Sequence, residues 1–454
     1  MATLFYSVPF RIGKFLLLGA SYIFYMWWDP RFIVLILTST IVDYFLGISL
    51  ETASGGRKKI LLVVSLIVNL GILGFFKYYD FFAGSLAGLL RIPESSVVLQ
   101  IILPVGVSFY TFASLSYTID VYWGKMKAVR NFVDYAVFIA FFPHLIAGPI
   151  IRARQFISQI QYWRRPTAIM VQGGIILVLA GLIKKMVFAD RFAVVSDSYF
   201  NDPAAHPGWL AAWSGCIAFF MQVFFDFSGY TDIARGCAKL LGFEFPLNFA
   251  RPFLARNPPD FWQRWHITLS TWVRDYLFMP FSRGRKGHFV LYRNLMIVMI
   301  LVGLWHGANW TFVAWGAYHG LLIIGYRLFD RATKRTAISE VMKKRYFVPL
   351  SVALMFLSCT VSMAFFRPRT LQASGYVLGA LFGFHVTGEF LLTTGTVLLI
   401  FISLFLAVAQ ECTQFIDRLA LQPARIQVPA YVCAFLALEL FPATGQVPFV
   451  YFQF

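Results

Sequence analysis

Charge is what this sequence has least of. Only 13% of its 454 residues are Asp, Glu, Lys or Arg, while 59% are hydrophobic and 18% aromatic. That balance excludes an ordinary soluble globular domain and leaves a polytopic membrane protein. Acids are scarcer than bases, 21 against 39, for a net charge of +18. Cysteines number five, at 216, 237, 359, 412 and 433. They show no paired spacing and include an odd one, so neither a disulfide framework nor a zinc site is supported, and no metal is expected. The sequence also has no internal repeat, no low-complexity run and no long polar linker, which makes a single membrane domain over 1–454 the economical reading. A cleavable signal peptide is not expected either. Met1 to Arg11 does not run in the order basic, apolar, small, so the first apolar segment reads as retained.

What is present is a series of apolar segments, at roughly 14–28, 31–50, 60–83, 98–119, 132–151, 168–189, 209–225, 295–306, 309–326, 346–366, 389–410 and 428–441. A full span needs about 20 residues. Those centred on 140, 300 and 317 carry Gly, Pro or His and read as re-entrant or broken helices, which survive in lipid only when packed in protein or lining a cavity. About ten true spans are expected. The basic residues fall between these segments instead of forming one patch, so they fit the positive-inside rule and no nucleic-acid partner is expected. Arg57-Lys58-Lys59, Lys125 to Arg130, Arg152 to Arg165, Arg283 to Lys286 and Arg327 to Arg345 read as cytoplasmic. Ser196 to Gly208, with no Lys or Arg, reads as the outer side.

Two stretches break the apolar pattern. Residues 226–293 mix bases with aromatics and prolines, which suits a folded cytoplasmic-side amphipathic or re-entrant element. Within it, Asn257-Pro258-Pro259-Asp260 has the marks of a helix start: an N-cap, Pro in the first turn, and an acid three residues on. Phe261, Trp262, Trp265, Leu269, Trp272, Val273 and Tyr276 follow at helical spacing. His266 then borders the buried face. The second stretch, 294–327, contains GLWHGANWTFVAWGAYHG and is flanked by basic clusters on both sides, so it reads as an intramembrane hairpin. Counted from Asn294 at about 1.5 Å per residue, His306 lies about 18 Å deep. The stretch is somewhat short for two full spans and a turn, so Gly307-Ala308-Asn309 is expected to turn inside the membrane.

An intramembrane histidine is a functional-site hypothesis by default. On a continuous helix His306 and His319 would lie about 220° apart and could not chelate as a local pair. General base catalysis fits His306 better, because an imidazole withdrawn from water stays neutral and can accept a proton from a hydroxyl. The alternative is a histidine hydrogen-bonded between helices, and for His319 and His144 that alternative leads. In QVFFDFSGYTDIARG, Asp226, Ser228, Tyr230 and Asp232 either line a substrate passage or pair with arginines, pairing being the commoner use of buried acids. The aromatic stripe of 261–276 is on spacing alone packing before it is a ligand platform. These residues do not name a reaction.

DFSGYTDIARGCAKLLGFEFPLNFARPF, PPDFWQRWHITLSTWVRDY and LWHGANWTFVAWGAYHG, in that order, resemble the membrane-bound O-acyltransferase family, and within it the bacterial branch of alginate O-acetylation. ILPVGVSFYTFASLSYTIDVY, FFPHLIAGPIIRARQF and PFVYFQF resemble the same branch, while the stretch after Arg367 matches more loosely. The resemblance implies an all-α polytopic fold, a ring of about ten transmembrane helices with re-entrant or broken helices around a thinned centre, pierced by a tunnel. It implies transfer of an acyl group, acetyl in this branch, from cytoplasmic acetyl-CoA towards a secreted polysaccharide such as alginate. No tightly bound cofactor is implied. An extracytoplasmic partner acyltransferase would complete the transfer, and the location would be the inner membrane of a bacterium.

Carried onto this chain, the family's catalytic histidine is His306 and its second site position, in the FWxRWH motif, is His266. His306 would act as base or acyl carrier, and His266 would orient it or donate to an oxyanion. Asp226, Ser228, Tyr230, Trp262, Trp265, Trp305, Asn309 and His319 are candidates for the tunnel and substrate. Arg152, Arg154 and Arg264 are candidates for the CoA phosphates. The rival from another class is a polysaccharide or lipid-linked sugar transporter with a histidine proton relay. A third reading is a structural scaffold of a synthase complex.

Overall fold

A computed structural model describes residues 2–284, 287–336, 340–342, 344–384, 386–442 and 448–450, the side chains of residues 2 and 3 excepted. Arg285 and Lys286 of one basic cluster, residues 337–339 and 343 of another, and the last four residues of PFVYFQF lie outside the described residues. Every regular element among the described residues is helical. The physical reason is that a helix satisfies its backbone polar groups within its own segment, which lipid requires.

Among the described residues, seven helices are long and apolar enough to cross a membrane: Pro30–Thr52, Gly55–Leu90, Ala168–Asn201, Trp209–Leu240, His288–His306, Arg345–Phe366 and Thr394–Thr413. The chain is a multi-pass membrane protein. The five other apolar segments read from the sequence are carried by shorter or more polar helices, namely Phe10–Met26, Val107–Tyr122, the pair Phe132–Ala140 and Phe142–Leu145, Trp310–Thr333, and Ala424–Leu440.

Contacts gather the chain into two compact units, Met1–Gly174 with Ala234–Pro246, and Ile175–Ile233 with Leu247–Phe454. In the first, helices Ile33–Thr52, Gly55–Leu73 and Val107–Tyr122 enclose a polar knot. Asp43, fully buried, accepts from Asn69 Nδ2 at 2.6 Å and from the Ser114 hydroxyl, and Ser39 donates to Asn69 at 2.7 Å. Lys14 reaches Asp134 at 2.5 Å, so this buried carboxylate is paired. The segment around residue 140 is broken as expected, at Phe141. His144 just beyond is buried, with its Nε2 3.1 Å from the Phe138 carbonyl, which gives it the structural role expected.

The second unit holds the hairpin, and here the structure departs from the sequence reading. Helix His288–His306 has 19 residues and helix Trp310–Thr333 has 24, so each runs past the expected limits of 294 and 327. At 1.5 Å per residue they measure about 28 and about 36 Å, and His306 lies about 27 Å from its helix start. Neither helix is broken internally. Their glycines serve close packing instead: a Cβ on Gly303 would collide with the Phe312 carbonyl, and one on Gly316 with the Met299 carbonyl. The turn does fall at Gly307 to Asn309. Asn309 caps the next helix, its Oδ1 accepting the Thr311 N–H at 3.0 Å.

Candidate active site

The spacing of 257–276 predicts one helix, but the chain forms two, Pro258–Arg264 and Ile267–Val273. The start is as expected, with Asn257 Oδ1 accepting the Asp260 N–H at 2.9 Å and Pro258 in the first turn. The break comes at Trp265, which is extended, and His266, which is left-handed at φ 43°, ψ 53°. Such a conformation costs a non-glycine residue about 1–2 kcal/mol and persists only when its surroundings enforce it. A non-helical strap before the first helix does so. The Ala250 N–H donates to the Arg264 carbonyl at 2.9 Å, and the Ile267 N–H donates to the Asn248 carbonyl at 2.9 Å. The kink therefore has its hydrogen bonds made by the strap instead of by the helix.

Because of this kink, His266 leaves the helix face and packs between Phe227, at a centroid distance of 4.7 Å, and Trp305, at 5.7 Å. The other face of the cluster continues from Trp305 to His306 at 4.8 Å, then from His306 to Trp315 at 5.0 Å and to Phe366 at 5.2 Å. His319 lies 4.6 Å from Trp315, with Trp262 at 5.3 Å. Trp315 thus stands between the two hairpin histidines, which sit on separate helices. His266 and His319 are each 1% exposed, whereas His306 is only partly buried.

His306 opens on a cleft of about 30 Å³ whose walls include Phe227, Trp265, Trp315, Phe366 and Val450. Among the described residues lining that space it is the one titratable side chain. A larger cavity of about 510 Å³ lies elsewhere in the unit, between Arg256, Asn257, Tyr326, Phe347 and Leu354. Among the described residues its lining holds no histidine or carboxylate.

The remaining expected residues sort by their contacts. Asp226 is buried and paired, its Oδ1 2.9 Å from Lys185 Nζ and its Oδ2 accepting the Val450 N–H at 2.8 Å. Asp232 is 2.5 Å from Lys184. Both acids pair, as the commoner use implied, with lysines among their partners. The Ser228 hydroxyl and the Trp262 indole N–H are buried without a partner among the described residues. Tyr230 lies against Phe449 at 5.3 Å. Trp265 stacks on Phe261 at 5.4 Å and meets the cleft from one side. Besides capping its helix, Asn309 donates to the Arg369 carbonyl at 2.8 Å and so fastens the turn beside His306. Arg264 is held by Asp260 at 2.7 Å and by the Ala250 carbonyl at 3.3 Å. In the first unit, Arg152 is buried, while Arg154 is half-exposed and 4.0 Å from Asp120.

The sequence reading passed over Asn248, Lys185, Phe366 and Val450. Asn248 carried a usable signal, an amide inside the apolar FPLNFARPF, since a buried amide needs partners. Phe366 and Val450 carried none, because an apolar cleft wall looks like any other core residue.

The chain is thus a multi-pass helical membrane protein with an imidazole on the wall of a largely aromatic cleft. Residues 127–366 match the model of MBOAT, the membrane-bound O-acyltransferase family, and the chain belongs to that family and is an acyltransferase. Among its relatives, the probable alginate O-acetylase AlgI of Azotobacter vinelandii is 40% identical over 388 residues, covering 84% of this chain and 75% of that one. The peptidoglycan O-acetyltransferase of Helicobacter pylori is 33% identical over 404 residues, covering 82% and 74%. A teichoic acid D-alanyltransferase of Bacillus subtilis is 31% identical over 241 residues, covering 51% and 60%.

Proposed function

We propose that this protein moves an acetyl group from cytoplasmic acetyl-CoA across the inner membrane of a bacterium for O-acetylation of a secreted polysaccharide, with His306 as base or transient acyl carrier. The observation that carries the proposal is the position of His306 as the one titratable side chain among the described residues of an otherwise apolar cleft. The names of the relatives support it, since each describes acyl transfer to a polymer.

A thioester already has a good leaving group, so the protein has to supply a nucleophile and a place for its proton. As base, His306 takes the proton of the attacking hydroxyl while the oxygen adds to the thioester carbonyl. The C–S bond then breaks and the CoA thiolate leaves, to be protonated as the thiol. As carrier, an imidazole nitrogen adds to the carbonyl and expels the thiolate, and the acyl-imidazole then passes its acetyl to the next hydroxyl. That hydroxyl belongs to the polymer or to an extracytoplasmic partner acyltransferase.

The test uses the full chain in proteoliposomes with radiolabelled acetyl-CoA and an acceptor oligosaccharide on the opposite side. The wild type should consume thioester and release labelled acceptor, and His306→Ala should lower the rate by about 10²–10⁴-fold. Movement of a sugar with no thioester consumed would instead identify a transporter, and polymer acetylation untouched in His306→Ala would identify a scaffold.

A further inference from the structure

Asn248 is fully buried and its side-chain oxygen is the meeting point of three donors. The Thr268 backbone N–H lies at 3.1 Å, the Thr268 hydroxyl at 2.8 Å and His266 Nδ1 at 3.2 Å. The first of these fixes the rest. A backbone N–H can only donate, so the Asn248 atom facing it has to be the carbonyl oxygen and not the amide nitrogen. Its Nδ2 turns the other way, to the Thr231 hydroxyl at 3.5 Å.

An oxygen that only accepts then dictates the state of the imidazole. Nδ1 of His266 has to carry the hydrogen. Phe227, Phe249 and Trp305 surround the ring, and no carboxylate among the described residues contacts it, so it holds a single proton. Nε2 is left as a bare lone pair, and among the described residues it has no hydrogen-bond partner. A lone pair repels an oxyanion and welcomes an O–H or N–H.

We propose that Asn248 is a positioning residue that locks His266 into the Nδ1–H tautomer, so that His266 serves the reaction as a hydrogen-bond acceptor and not as an oxyanion donor. This rests on the acyl-transfer reading above. The Asn248 side chain and the strap that carries it act together: the strap holds the left-handed kink that turns His266 out of its helix, and the amide sets which ring nitrogen bears the proton. The group that His266 receives is the hydroxyl being acetylated or an N–H of the histidine that has taken its proton.

Solid-state NMR of the full chain in proteoliposomes, labelled with 15N-histidine, reads the tautomer directly. The His266 signals are identified by their loss in His266→Gln. The expected result is a neutral ring with Nδ1 protonated and Nε2 in the range of an unprotonated nitrogen. An Nε2–H tautomer in the wild type overturns the proposal, whether or not the protein transfers acetyl. Two variants extend the test. Asn248→Asp keeps an acceptor for all three donors, and with it the hydrogen on Nδ1, and should retain acetyl transfer within about tenfold of wild type. Asn248→Ala should lose the tautomer signature and at least tenfold more activity than Asn248→Asp. Equal losses in the two variants would reduce Asn248 to a packing role and also overturn the proposal. If the expected tautomer is found in a protein that consumes no acetyl-CoA, the acyl-transfer reading fails while the geometry of Asn248 stands.

Discussion

Lys185 shows how much a single side chain carries in an interior this poor in charge. It lies 2.9 Å from Asp226 and 2.8 Å from Asp190, with its ammonium also 4.6 Å from the Phe449 ring centroid. Replacing it by methionine leaves buried acids without their cation, a change that typically costs about 3–5 kcal/mol. Lys185→Met should therefore lower the thermal midpoint of the purified protein sharply, and adding Asp226→Leu should recover part of the loss. A double mutant no more stable than the single would mean that the pair is not the source. The sequence announced Asp226 but neither Asp190 nor this cation, because the partners of Lys185 are 41 and 5 residues away along the chain and no helical period connects all three. His306 was legible for the opposite reason: its oddity is local, an imidazole amid tryptophans, and needs no knowledge of the fold.

At the scale of elements, the hairpin and the kinked helix teach different lessons. Caps and turns were readable, as at Asn257 and Gly307 to Asn309, since their chemistry resides in adjacent residues. The break at His266 was not, because the apolar period runs on through it and the hydrogen bonds that enforce it come from a strap some 16 residues earlier. Glycine was misread in a related way. In the hairpin it reads as a breaker, yet Gly303 and Gly316 are the points where the two helices touch through backbone atoms. Alanine at either position should destabilise the hairpin and reduce acetyl transfer, whereas Gly325→Ala, which would meet nothing within 4 Å, should be tolerated. Thermal unfolding of the three variants side by side separates these outcomes. Equal tolerance of all three would exclude the close crossing.

At the scale of the whole molecule, composition alone established a multi-pass helical membrane protein, since 59% hydrophobic residues leave little else. How many helices are both long and apolar enough was harder to read, because Val107–Tyr122 and Ala424–Leu440 blend at their ends into apolar stretches that are not helical or are capped early. The second unit draws its cleft from distant parts of the chain, Val223, His306, Phe366 and Val450 among them. Deleting the residues from Pro448 onward should abolish acetyl transfer while shifting the thermal midpoint little, because Val450 gives the cleft a wall and donates its N–H to Asp226 without belonging to a long helix. A truncated protein as active as the full chain would remove that wall from the reaction. Val450 also follows every other described cleft residue in the order of synthesis. A nascent chain in which the helices bearing those residues have all formed still lacks one wall of its cleft.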